Sequence, residues 1–208
     1  MNWIPRLHDL KGKDQYSQSG EGFYLEYIFD NIPSINQEYR FLDIGGGDGF
    51  YLSNTRHLGN LGWSGLVLDR ENGIDVNIES ISEFMGEGLF DLISIDIDGN
   101  DFWILDKILK AGHKPSVIIA EFNAMYTDSR AIRYDKDHIW QGDSYYGFTF
   151  AAGDKLAELH GYKVIFQIAD MNMIMVRADL IEGLEIPPVT FKQNDFFKLS
   201  DRTDWIKI

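Results

Sequence analysis

The chain has 208 residues with 33 acidic against 19 basic side chains, a net charge of −14, and no cysteine. That balance excludes a general phosphate-binding surface, so neither nucleic acid nor an anionic membrane is expected as a partner. Without cysteine there are no disulfides or thiolate metal sites. A hydrophobic content of 44% with 14% aromatics excludes a disordered chain. The length suits one domain. The polar start, residues 1–15, and the absence of any apolar run of spanning length lead us to expect a cytoplasmic protein.

Apolar runs of strand length alternate with segments of helical spacing, the pattern of a parallel α/β sheet. The first helix is expected over Gly22 to Asn31, with Phe23, Tyr27 and Ile28 on one face and Pro33 as its stop. Strands are expected at 40–45, 65–69, 91–97, 116–121, 162–168 and 172–177, with another short one over Gly73 to Ile78. Helices fall near 51–59, 79–86, 101–111 and 149–160. The last two strands are separated by Ala169-Asp170-Met171, which suits an antiparallel hairpin. The expected fold is therefore α/β, a Rossmann-like doubly wound, mostly parallel sheet with a C-terminal antiparallel hairpin. We read 1–208 as one domain, with 1–15 as an arm and 179–208 as an aromatic-bearing tail packed on it.

Phe41 to Gly49 is the strongest chemical signal. A short apolar run ends in Asp43-Ile44 and breaks into Gly45, Gly46, Gly47 and Gly49. Glycines let the backbone turn sharply and approach a ligand closely at the carboxyl end of a strand. D-x-G-x-G-x-G is satisfied by Asp43, Gly45, Gly47 and Gly49, whereas the dinucleotide fingerprint fails at Phe50. The first pattern is typical of S-adenosylmethionine pockets. Leu66-Val67-Leu68-Asp69 adds a second strand ending in an acid, placed to accept hydrogen bonds from two ribose hydroxyls.

Asp91 to Trp103 brings Asp96, Asp98 and Asp101 to the end of a central strand, where open α/β sheets place ligands. A calcium loop is excluded, because Asp101 and Lys107 stand where Gly and Glu are required. Two assignments stay open. In one, Asp96 or Asp98 joins Glu121 or Asn123 to hold a hard cation such as Mg2+. In the other, Asp96 lies near the cofactor, Asp98 and Asp101 cap the following helix, and Glu121 is a polar strand end.

These motifs, taken in order, carry a family resemblance. Ser17-Gln18-Ser19-Gly20-Glu21, the glycine loop with Ser53-Asn54-Thr55, Gly62-Trp63-Ser64-Gly65-Leu66, Ile95-Asp96-Ile97-Asp98-Gly99-Asn100-Asp101, Ile119-Ala120-Glu121-Phe122-Asn123 and Gly142-Asp143-Ser144-Tyr145-Tyr146-Gly147 resemble the FkbM-like class I methyltransferases over about residues 16 to 180. The resemblance implies a Rossmann-like fold, bound S-adenosylmethionine and O-methyl transfer. By position, Gly45, Gly46, Gly47 and Gly49 would wrap the methionine part of the cofactor together with Asp43 and Asn54. Asp69 would hold the ribose, and Asp96 would lie beside the sulfonium and the methyl acceptor. Phe148-Thr149-Phe150 departs from the commoner A-S-L that follows Y-Y-G in the branch of that family the chain most resembles.

The long connection from Asn123 to Tyr146 has the length of a functional lid or binding loop. Its Arg130, Arg133, Trp140, Tyr145 and Tyr146 suit a polar acceptor with a flat or saccharide-like face, and His138 is its candidate general base. Small-molecule or saccharide acceptors are thus the expected partners. Phe191, Phe196, Phe197 and Trp205 would either support an oligomer or close the core. Two other functions compete: a Rossmann-like binding module without turnover, and an NAD-dependent oxidoreductase, which Phe50 disfavours.

Overall fold

The computed structural model describes residues 2–33, 38–86 and 89–208. Strands β1 (Arg40–Ile44), β2 (Ser64–Leu68), β3 (Leu92–Ile95), β4 (Val117–Glu121), β6 (Tyr162–Ile168) and β7 (Asn172–Arg177) form one sheet in the order β2-β1-β3-β4-β7-β6. The first four are parallel, while β7 runs antiparallel to both β4 and β6. Helices α1 (Glu21–Phe29), α2 (Arg56–Asn60), α3 (Ile81–Met85), α4 (Asp101–Lys110) and α5 (Phe150–Leu159) cover its faces. Among the described residues no helix is long and apolar enough to cross a membrane.

Strand residues alternate between the two faces, as the two-residue period demands, except at a bulge in β6 where Ile165 and Phe166 join the same core. Ile118 and Ala120 of β4 join a core with α4 and α5, whereas Val117 and Ile119 join another with Leu25 and Ile28 of α1. Both faces are buried, which is why these strands read as continuous apolar runs. Each such Ile or Leu stabilises the fold by roughly 2 kcal/mol. The β6–β7 hairpin turns through Ala169 (φ 57°) and Asp170 (φ 54°), the left-handed pair that matches the twist of a tight hairpin.

Two expectations need correction, and one element is new. Gly73 to Ile78 is not a strand: Asp69 accepts the Glu71 N–H at 2.7 Å and closes a 3₁₀ turn, Arg70–Asn72, which Gly73 leaves at φ 76°. The alternating Ile74, Val76 and Ile78 pack onto the core without a ladder, so their period reflects burial alone. The helix expected at 51–59 is only α2, because Asp48 and Ser53 hold residues 50–56 in turns by accepting backbone N–H groups of Phe50, Tyr51, Thr55 and Arg56. A separate ribbon of β5 (Arg130–Ala131) and β8 (Ile206–Lys207) was not expected at all.

The tail is fastened at both ends. Phe191 packs edge-on against Phe122 at 5.3 Å, and Trp205 against Tyr145 at 4.9 Å.

Candidate functional site

The site grows out of the carboxyl ends of β1, β2, β3 and β4. At the end of β1, Gly45 N–H donates to the Leu68 carbonyl at 2.8 Å, and Asp96 N–H donates to the Ile44 carbonyl at 2.9 Å. A Cβ on Gly45, whose φ is 89°, would lie 1.7 Å from the Asp96 carbonyl oxygen; one on Gly46 would lie 2.6 Å from the Asp43 carboxylate. Only glycine fits such approaches. Asp43 lies beneath the loop: it accepts the Thr55 hydroxyl at 2.7 Å and the Ser53 hydroxyl at 3.4 Å. Burial pushes its carboxyl up, against the pull of these hydroxyls. It ties the loop to the Ser53-Asn54-Thr55 turn from which Asn54 reaches Ser94 Oγ at 3.3 Å.

Asp69 braces the same loop from β2. Its second oxygen accepts the Gly47 N–H at 3.0 Å, and Asn72 Nδ2 donates to the Gly47 carbonyl at 2.9 Å. Glycine loop and acid therefore form one hydrogen-bonded unit.

Two cavities meet over this unit, sharing Gly45, Asp69, Asp96 and Asp98. The smaller, about 180 Å³, runs between Ile74-Asp75-Val76 and Ile97-Asp98-Gly99. The larger, about 700 Å³, extends past Gly45, Gly46 and Gly47 to Glu121, Tyr146 and the tail. At their junction Asp96, Asp98 and Glu121 offer oxygens that all lie within 4.8 Å of one another. Burial raises all three carboxyls, and mutual repulsion adds to it; Asp98 is pushed up to about 6. Asp96 and Glu121 lie within hydrogen-bonding reach of each other, and acids this close raise each other's proton affinity. No protein donor reaches the buried Glu121 Oε2. Asp98 holds a left-handed backbone, φ 53°.

Several expected residues take other positions. Asp101 is not a cap but the first residue of α4, reaching back to accept the Ile97 and Gly99 N–H groups at 2.8 Å each. Asn123 is buried and engaged with the loop: its amide donates to the Ser144 and Tyr146 carbonyls and accepts the Met125 N–H. None of its groups is left for the carboxylate trio. His138 lies over Gly99 on the smaller cavity and does not line the larger one that holds Glu121 and Tyr146. Burial, then the Arg202 charge, lowers its pKa. Arg130 pairs with Asp128 at 2.7 Å and Arg133 faces Asp204 at 3.6 Å, so neither supplies charge to the larger cavity.

Sequence reasoning missed the tail's share. Asn194, Phe196 and Phe197 line the larger cavity opposite the glycine loop, and adjacent phenylalanines read as packing. Glu21 was quoted only as part of a motif, yet it is buried and accepts Asn172 Nδ2 at 3.1 Å, joining α1 to β7 beside the cavity.

No curated protein matches the chain. Among solved structures it is similar to the structure of the citrinin polyketide synthase CMeT domain, with 14% identity and a TM-score of 0.43 over 76% of this chain and 51% of that one. The chain thus spans about half the length of that structure. The family model described as Methyltransferase FkbM domain matches residues 24–164, well over half of the chain. The chain, with its glycine cradle, the acid that braces it and the cavities over them, belongs by that match to the family of FkbM methyltransferase domains.

Proposed function

We propose that this methyltransferase uses S-adenosylmethionine and transfers its methyl group to an oxygen of a small or saccharide-like acceptor. The observation that carries the reading is the close approach of Gly45 to the Asp96 carbonyl at the place where the two cavities share Gly45, Asp69, Asp96 and Asp98. The methionine part would rest on Gly45, Gly46, Gly47 and Gly49, the ribose beside Asp69, and the adenine between Ile74-Asp75-Val76 and Ile97. Asn54, which lines the larger cavity, would contact the cofactor, and Asp43 would act beneath by fixing the loop.

The acceptor would enter from the Tyr146 end. Bound S-adenosylmethionine would supply an electrophilic methyl group and leave as S-adenosylhomocysteine, and a carboxylate of the Asp96, Asp98 and Glu121 group would take the proton from the acceptor hydroxyl. Their raised proton affinity suits a base, because catalytic proton transfer is most effective near the working pH. Their position makes them better placed for this than His138. The same trio, without Asn123, would also match the oxygen preference of Mg2+; turnover that persists in EDTA discards that arrangement.

Thermal-shift titration tests the donor. S-adenosylmethionine and S-adenosylhomocysteine should raise the melting temperature, by an amount set by ligand excess over Kd, and NAD should not. Stabilisation by NAD alone overturns the reading. Donor binding without turnover on a broad hydroxyl panel, with and without Mg2+, would favour the binding module.

A further inference from the structure

We infer that the outer end of the large cavity receives an ammonium group, so that the methyl acceptor is a hydroxyl compound that also carries a protonated amine. The inference rests on the methyltransferase reading above and adds the charge of the acceptor.

Three aromatic rings carry it. Trp140, Tyr146 and Phe197 all line the larger cavity. Trp140 meets Phe197 at 4.9 Å and 88°, Tyr146 meets Phe197 at 5.6 Å and 85°, and Trp140 meets Tyr146 at 5.5 Å and 55°. The three rings thus meet at one corner of the cavity wall. The face of an aromatic ring carries the negative part of its quadrupole, which attracts an ammonium ion. Trp140 is held in place by its Nε1–H, donated to the Asp143 carbonyl at 2.7 Å.

The charges around the corner point the same way. Glu121, Asp98 and Asp170 line the same cavity, and among the described residues its lining includes no Lys, Arg or His. Arg130 is paired with Asp128 and lies over Tyr126 at 4.4 Å, away from the corner. A phosphate or carboxylate on the acceptor would find no counter-charge here. A neutral sugar would cover the rings and could donate a hydroxyl to Glu121 Oε2, which no protein donor reaches, but would bring no positive charge to the acidic lining. An ammonium satisfies rings and carboxylates together.

The test compares benzylammonium, benzyl alcohol and benzoate, which differ chiefly in charge, by calorimetry on enzyme saturated with S-adenosylhomocysteine. We expect benzylammonium to bind at least tenfold more tightly than benzyl alcohol, with no saturable binding of benzoate. Trp140→Leu and Phe197→Leu should each weaken benzylammonium by about threefold to thirtyfold, the range of a desolvated cation–π contact, and leave benzyl alcohol within threefold. Glu121→Gln should reduce the preference for the cation. Benzyl alcohol or benzoate binding as tightly as benzylammonium overturns the inference. So does the failure of all three to bind enzyme that does bind S-adenosylhomocysteine, with or without Mg2+. If S-adenosylhomocysteine itself fails to bind, it is the methyltransferase reading that fails, and the acceptor assignment goes with it.

Discussion

The two ends of the large cavity are made in different ways. At the glycine end, the walls are the terminal residues of β1, β2 and β3, tied to one another by backbone hydrogen bonds such as Gly45 N–H to the Leu68 carbonyl. At the other end, the walls are side chains of the 123–148 connection and of the tail, held by ring contacts and by the two-residue ribbon of β5 and β8. Strand ends cannot move without the sheet, whereas the tail can be altered while the sheet stands. The first end suits a fixed ligand shared across a family, and the second suits a ligand that varies.

The sharpest way to break this comparison is Gly45→Ala. Its Cβ would collide with the Asp96 carbonyl in a left-handed backbone, so we expect a loss of about 3 kcal/mol or more in stability and no measurable donor binding. Calorimetry with S-adenosylhomocysteine and chemical denaturation check both. Trp205→Ala attacks the opposite end. It removes the ring that joins Tyr126 and Tyr145 and should cost about 2 kcal/mol, while donor affinity stays within about threefold; an equal loss of donor binding would show that the ends are not separable. Asp69→Asn keeps the shape but weakens the acceptor for the Gly47 and Glu71 N–H groups. Donor affinity should fall by roughly tenfold, the range of a lost charge-assisted hydrogen bond.

The smallest expected effect concerns pH. The Asp98 carboxyl is raised from 3.8 to about 6, so between those values the folded protein keeps a proton that the unfolded chain has released. Its contribution is full below about 4 and is lost as pH rises through 6. Relative to Asp98→Asn, the unliganded wild type should lose melting temperature across that window and run parallel above it. A constant difference from pH 4 to 7 would mean that the carboxyl does not titrate as its surroundings dictate.

The glycine end was legible in the sequence because its requirement is a backbone one. Close approach under Asp96 admits only glycine at 45, and a strand that must end in an acid shows Asp69 as such. The core strands were legible for a similar reason, since burial on both faces leaves unbroken apolar runs. The short strand expected over Gly73 to Ile78 failed because alternation records burial and not hydrogen bonding. That His138 lies on the smaller cavity and Arg130 pairs with Asp128 was not legible, because the path of an irregular connection decides which neighbour a side chain meets, and nothing in local spacing encodes that path. The β5–β8 ribbon, two residues on each side, is too short to have a period.

That ribbon also bears on the order in which the molecule assembles. Pairing Ala131 with Ile206 closes a very long chain segment, and such closure is repaid only after the intervening sheet has formed. The parallel strands and the cradle at Gly45 can therefore be complete while the tail is still free. In native-state hydrogen exchange, amides of 206–208 should open at lower free energy than those of β1 and β3.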